Sequence, residues 1–156
     1  MQLERRRPAL DAAGVGLVAV GIGTAESAAR VAAHVGFDAA RLLADPENVA
    51  YDALGLNAGV GATFFDPATP FAIRDRLATG TGGDLGAVLA KWLPGGDRGG
   101  GAVILPPKRA QAFNQGGLFV FDGAGASRFV HYDAATGAHG DLDAAVRAAL
   151  AAAGSS

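Results

Sequence analysis

The sequence predicts an α/β fold, and three observations carry that prediction. Val15 to Thr24 (VGLVAVGIGT) is an almost unbroken apolar run without charge. It is too short for a lone helix, so it reads as a strand covered on both faces, the kind found inside a parallel sheet. Helix-patterned sequence lies before and after it, which makes an α/β unit. A polar loop follows the run directly, at the carboxyl end of the strand, where open sheets place their sites.

The elements follow in chain order. Met1 to Ala13 has a helical pattern with Leu3 and Leu10 apolar, although Pro8 would break or kink a helix that contained it. Thr24 caps the next helix, whose Ala28, Val31, Ala32 and Val35 fall at i, i+3, i+4 and i+7; Glu26 suits its first turn and Gly36 ends it. His34, in the last turn, is placed where the helix dipole favours a cation. Arg41 to Ala44 reads as a second strand. Asp45-Pro46-Glu47 then starts a helix, Pro46 to Leu54, that stops at Gly55.

Thr63 to Pro67 (TFFDP) is predicted to be extended and to enter a turn. Two helices follow, one from Thr69-Pro70 with Ile73 and Leu77, the other capped by Asp84 with Leu85, Val88, Leu89 and Trp92 as an apolar stripe. Pro94 to Gly101 (PGGDRGGG) reads as a mobile surface loop. Leu118 to Phe121 and Phe129 to Tyr132 form an antiparallel hairpin around a turn of about five residues, 122 to 126. A last helix is capped by Asp141, with Leu142, Val146, Ala149 and Leu150 facing inward, and frays at Gly154.

A length of 156 residues suits one domain, expected over 1–153 with a disordered tail at 154–156. The net charge of −2 gives no electrostatic reason to bind nucleic acid or an anionic membrane. Arg5, Arg6 and Arg7 form the only basic run and read as a solvated helix face. No apolar stretch approaches the roughly 20 residues that span a bilayer, and the opening residues do not read as a secretion signal. A soluble protein is expected.

The chemistry-bearing patterns are mostly negative. The chain has no cysteine, which excludes disulfides, zinc–thiolate sites and every thiolate nucleophile. Val20 to Thr24 holds two glycines of a dinucleotide fingerprint, but Glu26 stands at the third position and would repel a pyrophosphate. His131, Asp133, His139 and Asp141 lie close in sequence without zinc-site spacing, and His131 alternates with core positions of a strand. Neither Ser27 nor Ser127 sits in a Gly-x-Ser-x-Gly setting. No catalytic, cofactor-binding or metal-ligating residue is expected from these patterns.

Longer stretches carry a resemblance: LVAVGIGTAESAARVAAHVGF, LLADPENVAYDALGL, TFFDPATP and PPKRAQAFNQGGLFVFDGAGASRFVHYDAATGAHGDLDAAV, together covering most of residues 10 to 147. An Asp-Pro strand exit before a helix ending in Gly-Leu, then a Gly-Gly-Leu-Phe-Val-Phe-Asp-Gly hairpin, resembles the peroxiredoxin-like 2 group of the thioredoxin superfamily, the alkyl hydroperoxide reductase and thiol-specific antioxidant type. The resemblance implies a thioredoxin-like three-layer sandwich. It also implies a first core strand before the helix at Met1, followed by a reactive cysteine at that helix's amino end, where the terminal amides lower a thiol pKa.

Neither the strand nor the cysteine is in this sequence, so the sandwich is expected to be incomplete at its N-terminal strand. The chain would then be a truncated product of a longer gene or a degenerate relative. By resemblance the strand would lie between Val15 to Val20 and Leu118 to Phe121. About five buried side chains at roughly 1.5 to 3 kcal/mol each make its loss worth about 10 kcal/mol, comparable to a domain's net stability of about 5 to 15 kcal/mol.

Gly116, with Gln115 before it, stands where ordinary peroxiredoxins commonly carry a peroxide-polarising arginine. Gln115, Gly116, Gly117 and Thr24 are thus the vestigial active-site edge that the resemblance implies. A thiol oxidoreductase scaffold inactive for want of its nucleophile is expected, with a non-catalytic binding module as the alternative. The implied partner is a protein, or a second copy, meeting unpaired sheet edges. Relatives of this type occur in the cytoplasm and in plastids, and the composition does not choose between them.

Overall fold

The computed structural model describes residues 2–56, 116–133 and 140–154. The expectations for 57–115 lie outside those residues, among them the Thr63–Pro67 segment, both helices that follow it, the glycine-rich loop and Gln115. So do those for His139 and for 155–156. The described elements are α1 (Gln2–Ala12), β1 (Ala19–Gly21), α2 (Ala25–Val35), a 3-10 turn (Ala39–Arg41), β2 (Leu42–Ala44), α3 (Val49–Ala53), β3 (Gly117–Phe121), β4 (Ser127–Tyr132) and α4 (Leu142–Ala153). Helices alternate with small sheets, which is the α/β class.

One local device ends each of the first three helices. Gly14, Gly36 and Gly55 take left-handed φ values of 74°, 70° and 69°. The residue after each reverses onto the helix it has just left: Val15 N donates to Leu10 O, Phe37 N to Ala32 O and Leu56 N to Tyr51 O, at 2.9, 2.9 and 2.8 Å. This six-to-one bond satisfies a carbonyl that the helix end would leave open, and it brings an apolar residue against the last turn. Leu10, Ala32 and Leu56, which take part in these three stops, are all buried.

The first stop also shortens the strand expected over Val15 to Thr24. Val15 is spent on terminating α1, and only Ala19–Gly21 pairs, in parallel with Leu42–Ala44. The expectation of cover on both faces is corrected as well, because Val18 and Val20 are 55% and 38% exposed. Gly16, Gly21 and Gly23 interrupt the run, and each removes a side chain that a covering layer would grip.

Further corrections concern helix boundaries. α1 continues through Pro8. Ion pairs flank that point: Arg7 to Glu4 at 2.6 Å before it, Arg7 to Asp11 at 3.6 Å across it and Arg41 to Asp11 at 2.9 Å after it, while Arg6 reaches Asp143 on α4 at 2.6 Å. The third helix begins at Val49 rather than Pro46, because Asn48 stands at φ 63° and interrupts helical geometry before it. In α4 the packed line runs through Ala145 and Ala149, and Leu150 is exposed. Leu150 lies about 100° around the helix from Ala149 and so leaves that line.

The hairpin forms as read, with a five-residue turn between β3 and β4. Leu118 opposes His131 and Val120 opposes Phe129, while Phe119 opposes Val130 on the other face. Phe119 stacks on Phe121 with ring centres 6.4 Å apart and meets Tyr132 edge-on at 5.4 Å. The register shifts after Val120, so that Arg128 is an extra residue between partners.

Asp122 organises the turn. Its Oδ1 accepts from the amides of Ala124 and Ala126 at 3.0 and 2.8 Å, and its Oδ2 accepts from Arg128 Nε at 2.8 Å. The Ala126 amide above all, then Arg128 and the Ala124 amide, hold this carboxyl below its ordinary value against the opposing effect of desolvation.

Among the described residues the strands make two separate two-stranded sheets, β1 with β2 and β3 with β4. α4 packs against the hairpin and against α1.

Three outcomes follow from these contacts. Gly36→Ala should lower stability in urea melts by about 1 kcal/mol because its backbone is left-handed. Gly123→Ala, in open space without a left-handed backbone, should stay within about 0.5 kcal/mol of the parent. Because the Asp122 carboxyl is depressed on folding, its contribution is complete above the unfolded pKa of about 3.9 and lost as pH falls through the folded value. The melting-temperature gap between the parent and Asp122→Asn should therefore be open at pH 7 and should narrow on acidification below pH of about 4.

Candidate functional site

The residues implied as an active-site edge lie at the loop after β1 and at the start of β3. Thr24 is the N-cap of α2: its backbone is extended, at φ −83° and ψ 162°, and its Oγ1 accepts from Ser27 N at 3.2 Å. That bond satisfies an amide the first helical turn would leave open. The same hydroxyl lies 3.2 Å from Ser27 Oγ.

Gly116 and Gly117 are placed by packing. The Gly116 carbonyl accepts from Asp133 N at 3.0 Å, and a Cβ there would lie 2.7 Å from Asp133 Oδ2. At Gly117 a Cβ would meet the His131 carbonyl oxygen at 2.8 Å, the Phe119 ring at 2.8 Å and Leu56 Cδ2 at 2.9 Å. Leu56, turned back by the third helix stop, thus reaches the first residue of β3 and joins the β1–β2 unit to the hairpin.

Thr24 makes no contact with Gly116 or Gly117 among the hydrogen bonds and close approaches of the described residues. Gln115 lies outside them.

The best-organised polar group here is Asp45. The sequence makes it the capping carboxylate of a helix beginning at Pro46; it does cap that helix, but across a gap, because the helix starts at Val49. It accepts from the amides of Val49, Ala50 and Tyr51 at 2.8, 2.9 and 3.2 Å. Its own N–H donates to Gly21 O at 2.9 Å, which extends the β1–β2 ladder. At 6% exposure Asp45 is the buried charged residue of the described core. The signal was present as an Asp two residues before a Glu-Asn pair, but the left-handed Asn48 that makes the longer reach necessary was not.

Because the Gly21 carbonyl faces β2, the Val20 carbonyl faces the opposite edge of β1. Tyr51 Oη lies 3.5 Å from that oxygen. Burial first, then the charges of Asp45 and Asp133, push the Tyr51 phenol above its ordinary value, so it is neutral at pH 7 and can donate but not attack. On β4, His131 Nε2 is 3.4 Å from Asp133 Oδ1. Its ring fills the space a side chain at Gly140 would need, 2.8 Å from the Cβ position.

Thr24 caps, Asp45 gathers three amides, Tyr51 stays protonated, and no group of three or more His, Asp or Glu among the described residues could hold a metal ion. No described helix is long and apolar enough to cross a membrane. An open groove lies between the hairpin turn and the alanines of α4, lined by Asp122, Arg128, Ala148, Ala151 and Ala152 among others.

Alternating helices and short strands, with a parallel pair first and an antiparallel hairpin and helix last, make an α/β protein. The model of the AhpC/TSA antioxidant enzyme family matches residues 2–135, and the chain belongs to that family, a peroxiredoxin-like branch of the thioredoxin superfamily. The match takes in all of α1, which the quoted resemblance left out, and ends before α4. No curated protein and no solved structure matches the chain.

The two glycines at the start of β3 should differ in their tolerance of a methyl group. Gly117→Ala meets a fixed backbone oxygen and should cost about 2 kcal/mol or more in chemical denaturation. Gly116→Ala meets the movable end of Asp133 and should cost less than half as much. Equal costs would remove packing as the reason for the pair.

Proposed function

We propose that this chain is an AhpC/TSA scaffold without thiol chemistry of its own, catalytically silent toward peroxides and disulfides. The observation that carries the reading is the absence of cysteine from all 156 residues of a chain belonging to this family. By resemblance the family's chemistry runs on a thiolate at a helix amino end. Thr24 is engaged as a cap, and Tyr51 is held in its neutral form.

The same reading takes the described elements as parts of one thioredoxin-like domain. In support, β1 and β3 each have a single hydrogen-bonded neighbour among the described residues, on β2 and β4 respectively. A further strand between them would join the two pairs in the order that the resemblance implies.

A second reading, a non-catalytic binding module, is favoured by one observation: the exposure of Val18 and Val20 along β1. An extended segment of a partner protein, or of a second copy, would cover those side chains. It would also pair with the carbonyl of Val20 in place of Tyr51.

The test of the first reading is a coupled assay of the purified chain with hydrogen peroxide, an organic hydroperoxide and a disulfide substrate, each with excess reductant. Consumption should equal that of buffer with reductant alone. Turnover proportional to the concentration of the chain would overturn the proposal. For the second reading, hydrogen exchange at the Val20 amide should slow when an extended apolar partner binds, and unchanged exchange on binding would exclude that edge.

A further inference from the structure

We draw no further inference here: the strongest candidate, the half-exposed aromatic outer face of the β3–β4 hairpin around Phe119, Phe121, Val130 and Tyr132, carries nothing because nothing in the structure shows what covers it.

Discussion

The left-handed helix stop is the constraint on which the described fold depends. A helix ending at an ordinary residue leaves its last carbonyls to water and its exit direction loose. At Gly14, Gly36 and Gly55 the chain instead folds back on itself within two residues. The first stop sets where β1 can begin. The second turns the chain toward the Asp38-capped 3-10 turn that feeds β2. The third carries Leu56 under Gly117, so one backbone conformation, repeated, links helix length to sheet position and then to contact between the exit of α3 and the hairpin.

Aspartates complete what the glycines begin. Asp38, Asp45, Asp122 and Asp141 each accept backbone amides at the start of a helix or within a turn. A carboxylate in that role is matched to fixed dipoles and holds a local conformation. Acid–base or metal chemistry would need the same oxygens free to exchange protons or ligands. The commitment of these four groups to the backbone therefore bears on function as well as stability.

What the sequence made legible was local and strongly signalled. Thr24 and Asp141 cap the helices assigned to them, Gly36 and Gly55 stop theirs, and the hairpin turns over 122 to 126. What escaped depended on competition between signals. Val15 looks like the start of a strand and serves instead as the end of a helix stop. Pro8 weakens α1 by itself, yet ion pairs to Glu4 and across to Asp143 accompany a continuous helix. Pro46 is well suited to a first helical position, but Asn48 decides where α3 starts. Thr24 was legible as a helix cap. The packing that makes Gly117 a glycine was not, because Leu56 and His131 are far from it in sequence.

The extra residue at Arg128 carries a further consequence. A regular two-stranded ribbon can slide by two positions and keep its faces matched, and such slippage is one way in which hairpins trade partners between molecules. Here the guanidinium inserted at the bulge grips the same carboxylate that gathers the turn amides, so any slide would strip Asp122 of all its donors together. The ribbon is thereby keyed to one alignment, and exchanging strands with another molecule would first require the turn to open.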